Sequence, residues 1–240
     1  MKILVTICAR GGSKGIPGKN IKLIGGKPLL SYTIDLAKKI QDKFGAKIAF
    51  STDDKLVLNV ANSFGVHTDY RRPANLATDS AGKIDTIRDL IFYEEQLIDA
   101  EFDYILDLDI TSPLRTINDI ENAYKLIFDN PEVETLFSVN IASRNPYFNM
   151  VEENKSGFYT LVKKNSSGGI MTRQSAPKVY ELNASFYWYK RSFFNTIAIS
   201  PITDKSLIYE MPHICFDLDH PIDFMFLDFL LTNNKLDFQI

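Results

Sequence analysis

The chain has 240 residues, of which 45% are hydrophobic and 24% are charged, and its formal net charge is −3. This length suits one α/β domain with room for a small excursion. The acidic balance argues against a general nucleic-acid or membrane-surface binder, because such proteins usually have a basic excess. The net charge does not exclude small anionic substrates, since a local group of Lys and Arg can bind them.

The two cysteines, Cys8 and Cys215, lie in apolar, strand-like surroundings far apart in the chain. We interpret them as buried thiols in a reducing compartment. The N-terminus leads into a strand pattern without a signal peptide, and no apolar run approaches the roughly 20 residues that span a bilayer. These patterns predict a cytoplasmic protein that binds neither nucleic acid nor membrane.

Strand-like and helix-like segments alternate along the first part of the chain. The predicted strands are Lys2–Ala9, Lys47–Thr52, Val66–Tyr70, Phe102–Asp109 and Leu136–Ile141. The predicted helices are Pro28–Ile40, Asp53–Phe64, Lys83–Leu97 and Ile117–Phe128. This alternation predicts a doubly wound α/β fold with a predominantly parallel sheet. Ligands of such folds bind beyond the carboxyl ends of the strands.

The alternation stops between Ala142 and Lys178, a polar stretch broken by Pro146 and Gly157. Two interpretations stay open here, a protruding dimerisation arm that contains a hairpin and a mobile surface loop. Strands at Ala184–Tyr189 and Ile214–Leu218 and a helix at Pro221–Leu231 follow. The predicted organisation is a nucleotide-binding core at 1–141, an arm at 142–178, and a completion of the core at 179–240.

A glycine-rich loop, Arg10–Asn20, follows the first strand directly. Its glycines allow close backbone approach, and successive free N–H groups in such a loop form an anion-binding concavity. Arg10, Lys14 and Lys19 add positive charge within the same loop. The sequence therefore predicts a site for the phosphates of a nucleotide.

The loop matches neither of the two common phosphate-binding patterns. A Walker motif fails, because Ser13 stands where its first glycine should be and Asn20 follows Lys19. A dinucleotide pattern fails too, because the glycines fall at 11, 12, 15 and 18.

The loop resembles the signature of the acylneuraminate (CMP-sialic acid) cytidylyltransferases, whose RxxSKGxPxKN pattern is matched here from Arg10 to Asn20. Further blocks follow in family order at Ser51–Asp53, Arg72–Ala77, Thr111–Arg115 and Phe216–Asp219. A finer match is to the branch that activates legionaminic acid. The blocks of that match are Thr6–Arg10, Asp107–Asp109, Arg144–Asn149 and Thr172–Lys178.

The resemblance implies a Rossmann-like nucleotidyltransferase that joins CTP to a nine-carbon α-keto acid sugar, with Mg²⁺, as a homodimer with a shared sugar site. The residues it implies for CTP are Ser13, Lys14, Asn20, Arg72 and Ala81. Those for the sugar are Asp109, Arg173, Asn183 and Tyr187, with Arg173 supplied by the partner subunit. Catalysis is expected of Arg10, Lys19 and Asp217, because phosphoryl transfer depends mainly on positioning and charge stabilisation.

Two carboxylate pairs compete for the metal. Asp217 and Asp219 alternate along an apparent strand and would share one face, and the resemblance makes them the ligands. Asp107 and Asp109 form a similar pair, and Asp109 is alternatively a second metal ligand. Lys83 stands where the sialic branch has a small hydroxyl residue, and its role is open. The general base is either Asp217 or a metal-bound water.

Two alternative functions remain at this point. The run Asp107–Asp109 imitates the DxD metal motif of a nucleotide-sugar glycosyltransferase. The second alternative is a CTP-binding protein without turnover. Pyrophosphate release from CTP separates both alternatives from a cytidylyltransferase.

Overall fold

The computed structural model describes residues 1–12, 15–164 and 172–240, and for Arg173 the backbone alone. The strands of these ranges are β1 Ile3–Cys8, β2 Leu23–Ile24, β3 Lys27–Pro28, β4 Lys47–Ser51, β5 Tyr104–Leu108, β6 Thr135–Ile141, β7 Val151–Glu153, β8 Tyr159–Leu161, β9 Tyr180–Lys190 and β10 Ser206–Glu210. The helices are α1 Leu29–Phe44, α2 Lys55–Ser63, α3 Lys83–Ile98, α4 Ile117–Phe128 and α5 Pro221–Thr232. None of the helices in the described ranges is long and apolar enough to cross a membrane.

The chain forms two compact units. The first consists of Met1–Ser138 and Asn183–Ile240, and the second of Val139–Leu182. Strands β6 and β9 each lead from one unit into the other. In the second unit β7 and β8 form an antiparallel pair in which Val151 lies opposite Leu161. The segment predicted as an arm lies within this second unit.

The main sheet has six strands in the order β10-β6-β9-β5-β1-β4. Strand β1 is parallel to β4 and β5, while β9 is antiparallel to β5. Lys190 in β9 donates its N–H to the carbonyl of Glu134, and Phe186 lies against Ser138, which is the register of an antiparallel β6–β9 pair. The doubly wound α/β class is confirmed, and the sheet is mixed because β9 inserts between β5 and β6.

Helices cover both faces of this sheet. Ile3, Val5 and Ile7 of β1 belong to a buried cluster that includes apolar residues of α1, α2, α4 and α5. Leu4, which points the other way, belongs to a second cluster with apolar residues of α3. Alternate residues of β1 are therefore buried on opposite faces, as expected for a continuous apolar strand in a three-layer fold.

Local sequence signals set the helix ends. Asp54 caps α2, since its carboxylate accepts the N–H of Leu56 at 2.7 Å. Thr116 and Asp119 form a capping box at the start of α4. Gly45 ends α1 with a φ of 64°, a left-handed conformation that favours glycine. The predicted helices are confirmed, with their ends shifted by a few residues.

The predicted strand Val66–Tyr70 is wrong. The N–H of Val66 donates to the carbonyl of Ala61 and so closes α2, and the N–H of Tyr70 donates to the hydroxyl of Thr68. Local turn bonds therefore replace a strand ladder.

The predicted strand Ile214–Leu218 is also wrong, although four of its five residues are apolar. The segment has no strand pairing, and its N–H at Leu218 donates to the carbonyl of Thr111 at 2.9 Å. Strand β10, which the sequence analysis missed, lies at the edge of the sheet instead. The segment is thus held against the loop after β5.

Candidate active site

A cavity of about 280 Å³ lies beyond the carboxyl ends of β1 and β5, within the first unit. Four of the predicted site residues, Arg10, Arg72, Ala81 and Asp109, line it, and so does Lys83. The remaining lining residues are Cys8, Leu76, Thr78, Asp79 and Thr86. Its position follows the rule that ligands of open α/β sheets bind at the carboxyl ends of the strands.

The described part of the glycine-rich loop is folded back against the segment that contains Asp217 and Asp219. The ammonium of Lys19 donates to the carbonyl of Leu218 at 2.6 Å. A Cβ on Gly15 would lie 2.6 Å from the carbonyl oxygen of Asp219, so this approach requires glycine. The loop and the acidic segment therefore meet, as a phosphate site with a metal would need. The predictions at Ser13 and Lys14 fall outside the described residues.

The side chains of Arg10 and Asn20 take different positions at this loop. Arg10 forms an ion pair with Asp79 at 2.7 Å and donates to the carbonyl of Thr78 at 3.3 Å. Asn20 is buried, and its amide donates to the backbone carbonyl of Arg10 at 3.0 Å. Asn20 thus fixes the backbone at the start of the loop, while the guanidinium of Arg10 lines the cavity in a partly exposed ion pair with Asp79.

The opposite wall of the cavity is held by Arg72. Its guanidinium is buried, and it donates to the hydroxyl and to the carbonyl of Ser51, both at 2.8 Å. The N–H of Ala81 donates to the carbonyl of Thr78 at 3.3 Å in the loop before α3. Arg72 therefore ties the end of β4 to this wall, and Ala81 completes it.

Lys83 lies between two aspartates at the end of β5. Its ammonium is 2.8 Å from Asp107 and 2.7 Å from Asp109. Asp107 is fully buried and also accepts the hydroxyl of Thr6 at 2.9 Å. The second oxygen of Asp109 accepts the N–H and the hydroxyl of Thr111, at 2.9 and 3.0 Å. The sequence analysis left the role of Lys83 open, and the structure makes it the cation of this cluster.

Charge interactions in this cluster outweigh burial. Burial opposes the charged form of Asp109, yet Lys83 and the hydrogen bonds from Thr111 lower its pKa to about 2. Burial likewise opposes the charged form of Lys83, and Asp107 and Asp109 raise its pKa well above the ordinary value. Lys83 and Asp109 are thus both charged at neutral pH.

Asp217 and Asp219 differ in their surroundings. Asp219 is exposed, and Asp217 is partly buried. Burial, followed by the negative charge of Asp109, raises the pKa of Asp217. One of its carboxylate oxygens is buried and accepts no hydrogen bond from any residue that the structure describes. A buried carboxylate oxygen without a donor is the kind of atom that a metal ion satisfies.

The sugar-site predictions are placed in part. Asn183 is buried in β9, where its side-chain oxygen accepts the hydroxyl of Ser138 at 2.6 Å. Tyr187 packs beside Lys83, whose ammonium lies 5.3 Å from the ring centroid. Burial raises the pKa of Tyr187 to about 12. The side chain of Arg173 lies outside the described part of the chain.

A buried arginine that the sequence analysis gave no role supports the end of β5. Arg115 donates to the carbonyls of Ser112 and Ser185, both at 2.7 Å, and to the hydroxyl of Thr33 at 2.9 Å. Thr33 in turn donates to the carbonyl of Asp109 at 3.2 Å. Burial lowers the pKa of Arg115 to about 10. Its position in the TSPLR run was the available signal, but side-chain burial is not visible in a motif.

Cys8 lines the cavity without being a nucleophile. Burial, together with the charge of Asp107, raises the pKa of its thiol to about 12. The thiolate is therefore scarce at neutral pH. Of the two cysteines interpreted as buried, Cys215 is buried and Cys8 is only partly buried.

Comparisons with known proteins identify the family of this chain. The model of the family described as Cytidylyltransferase matches residues 4–230. The post-translational flagellin modification protein B of Campylobacter coli is 37% identical over 98% of this chain and 97% of its own length. The CMP-N,N'-diacetyllegionaminic acid synthase of Campylobacter jejuni subsp. jejuni is 36% identical with the same coverage. The solved structure of a CMP:2-keto-3-deoxy-manno-octonic acid synthetase complexed with CTP has a TM-score of 0.67 at 17% identity, covers 98% of this chain and 100% of that one, and supports the fold alone.

Proposed function

Since this chain belongs to the cytidylyltransferase family, we propose that it joins CTP to a nine-carbon α-keto acid sugar of the legionaminic or N-acylneuraminic type. The products are the CMP-sugar, a donor for transfer to a cell-surface glycan, and pyrophosphate. A relative named for CMP-N,N'-diacetyllegionaminic acid synthesis, similar over nearly the full length of both chains, supports this choice of sugar.

The observation that carries this proposal is the contact of the glycine-rich loop with the acidic segment. Lys19 reaches Leu218, and Gly15 lies against the backbone of Asp219. The loop offers cations and backbone N–H groups, and the segment offers carboxylates. A nucleoside triphosphate with a bound metal ion needs cationic groups for its phosphates and carboxylates for the metal close together.

In this reaction the anomeric hydroxyl of the sugar attacks the α-phosphorus of CTP. A new P–O bond forms, the bond from the α-phosphorus to the bridging oxygen breaks, and pyrophosphate leaves with that electron pair. We assign Lys19 and Arg10 to charge stabilisation of the phosphates. Arg10 is available for this task because its pair with Asp79 is partly exposed, and such pairs contribute little.

The acidic segment fits a magnesium ion, which would be held by Asp217 and Asp219 together with substrate oxygens. No cluster of three or more candidate ligands occurs among the described residues. When bound, the ion supplies positive charge to the phosphate oxygens. Asp217 would serve as a ligand, and it is also a candidate proton acceptor for the sugar hydroxyl.

A sugar panel tests the proposal. Purified protein, CTP and Mg²⁺ are incubated with sialic, legionaminic, pseudaminic and octulosonic acids, and pyrophosphate and CMP-sugar are measured. We expect the fastest turnover with legionaminic or sialic acid. Reactions with UTP and with CTP lacking a sugar are the controls. Absence of pyrophosphate with every sugar would refute the proposal.

The alternative of a DxD glycosyltransferase is disfavoured by the occupant of its metal motif. Both carboxylates of Asp107 and Asp109 contact the ammonium of Lys83, so the motif is already neutralised. A nucleotide-binding protein without turnover is likewise disfavoured, because the charged residues for phosphate and metal lie together. Saturable CTP binding without pyrophosphate would favour that alternative.

We also propose that the second unit is a dimerisation arm. Large apolar side chains of its hairpin are exposed, at 61% for Val151, 71% for Phe158 and 67% for Tyr159. Exposed apolar groups of this kind mark protein interfaces. The double substitution Phe158→Ser/Tyr159→Ser should shift the protein from dimer to monomer in light scattering. A persistent dimer would place the interface elsewhere.

A complementation experiment tests whether the sugar site is shared. Arg173→Ala and Lys19→Ala variants are each expected to be inactive. If Arg173 acts in the partner's site, a mixed dimer holds one intact site and mixing restores pyrophosphate release. If Arg173 acts in its own subunit, both sites of the mixed dimer stay defective and no activity returns.

A further inference from the structure

Lys83 occupies an unfavourable position on its helix. It is the first residue of α3, directly after Gly82. The N-terminus of a helix carries partial positive charge and favours anions. An ammonium at this place must be stabilised by contacts from outside the helix, and its neighbours supply them.

Those contacts close the pair formed by Asp107 and Asp109. The ammonium lies within 2.8 Å of both carboxylates and also faces the ring of Tyr187. Asp107 has no exposed surface, and Asp109 keeps 23% of its side chain exposed. Each carboxylate has a further donor, Thr6 for Asp107 and Thr111 for Asp109. A divalent ion could bind this pair only by displacing the ammonium.

The other carboxylate pair has the opposite character. Asp217 has a buried oxygen with no donor among the described residues, and Asp219 is exposed. Lys19, which contacts that segment, donates to the backbone carbonyl of Leu218, and no ion pair joins it to a carboxylate among the described residues. Asp107 also has a buried oxygen without a hydrogen bond among the described residues, but the ammonium of Lys83 lies 2.8 Å from that oxygen. The first pair is thus neutralised by an ammonium, and no ion pair of the described residues does the same for Asp217 and Asp219.

We propose that Lys83 is a fixed cation that takes the place of a second metal ion at Asp107 and Asp109, so that Asp217 and Asp219 alone bind a divalent ion. This inference deepens the proposed function and rests on it. Lys83 is a positioning residue here: it holds Asp109 charged and oriented in the cavity at any metal concentration. It also supplies positive charge beside an anionic substrate without a dissociable ion.

Binding of Mn²⁺ to the protein without CTP or sugar tests this inference separately from the reaction. Free Mn²⁺ is followed by electron paramagnetic resonance for the wild type, Asp109→Asn and Asp217→Asn. We expect Asp109→Asn to change the affinity by less than about threefold and Asp217→Asn to weaken it by about tenfold or more. A wild-type site that disappears in Asp109→Asn would overturn the proposal, whichever sugar the enzyme uses.

Removal of the Lys83 ammonium should create a metal site, in contrast to the loss of one expected for Asp217→Asn. Lys83→Met should bind an additional Mn²⁺, because Asp107 and Asp109 then become an open pair. The double variant Lys83→Met/Asp107→Asn, which keeps only one of the two carboxylates, should lose this additional ion and serves as the matched control. Circular dichroism verifies the fold of each variant. If folded Lys83→Met binds no more Mn²⁺ than the wild type, the proposal is wrong. If it does not fold, the comparison of Asp109→Asn with Asp217→Asn decides alone.

Discussion

The ammonium of Lys19 donates to the backbone carbonyl of Leu218 at 2.6 Å, although the two residues are far apart in sequence. Leu218 is buried between Asp217 and Asp219, so this bond positions the acidic segment against the glycine-rich loop. The same ammonium has donors left for phosphate oxygens, since a lysine carries three. Lys19 therefore holds the acidic segment in place in addition to its proposed role in charge stabilisation.

Lys19→Ala should lower kcat by about 10²–10³-fold, the usual effect of removing one group that stabilises transition-state charge. Pyrophosphate release under saturating CTP measures it. Lys39→Ala, an exposed change on α1, is the matched control and should leave turnover unchanged. Turnover of the Lys19 variant within a few-fold of wild type would contradict the phosphate role.

Two glycines of the same loop provide a steric test. A Cβ on Gly15 would lie 2.6 Å from the backbone carbonyl oxygen of Asp219, whereas a Cβ on Gly12 meets no atom of the described residues within 4 Å. Gly15→Ala should separate the loop from the acidic segment and reduce kcat/KM by about 10²-fold, because small misplacements near a reacting centre have effects of that order.

Gly12→Ala is the control for this change, since it adds the same methyl group to the same loop. We expect it to retain kcat/KM within a few-fold, and both variants to fold as judged by circular dichroism. Equal losses in the two variants would show that loop flexibility, rather than contact with Asp219, sets the rate.

The sequence predicted the helices well because they depend on local patterns. Apolar periodicity and caps such as Asp54 act within a few residues. The glycine-rich loop was also recognisable, because its glycines and cations are close together in the chain. These features need no knowledge of tertiary contacts.

The failures concern contacts between distant segments. The mostly apolar run at Ile214–Leu218 predicts a strand, yet the N–H of Leu218 donates to Thr111 in the loop after β5 and the run joins no sheet. The pairing of Lys83 with Asp107 and Asp109 joins the start of α3 to the end of β5, and no local spacing indicates it. Contacts between distant segments therefore explain why the strand prediction at Ile214–Leu218 was wrong and why the sequence left the role of Lys83 open.

Ala184 gives a prediction about stability. It has a φ of 57° within β9, and a left-handed conformation is unfavourable for alanine by about 1–2 kcal/mol. Glycine adopts this conformation without that strain, although it loses more entropy on folding. Ala184→Gly should raise the free energy of unfolding by about 0.5–1 kcal/mol, measured by urea denaturation.

The control is Ala100→Gly, at a position outside the residues with positive φ. There the substitution only adds freedom to the unfolded chain, so it should lower the free energy of unfolding by up to about 1 kcal/mol. A loss of stability in Ala184→Gly as large as in Ala100→Gly would show that the conformation of Ala184 is not strained.

His213 joins the acidic segment to α4. One ring nitrogen lies 3.0 Å from a carboxylate oxygen of Asp119, and the other lies 3.1 Å from the carbonyl of Ile214. Both partners accept hydrogen bonds, so only the doubly protonated ring satisfies both. Burial opposes this charge, yet the bonds to Asp119 and Ile214 raise the pKa of His213 above its usual 6.5.

A raised pKa in the folded state contributes stability that is complete below the unfolded value and is lost as pH rises through the folded value. Wild type should therefore exceed His213→Gln in free energy of unfolding by more at about pH 5.5 than at about pH 8.5. We expect this difference to shrink by about 1 kcal/mol between the two pH values, the order of one charged hydrogen bond. Urea denaturation at both pH values measures it. His67→Gln, at an exposed ring that contacts only Asn62 among the hydrogen bonds of the described residues, should show no such change. An excess that grows with pH would mean that His213 is neutral in the folded protein.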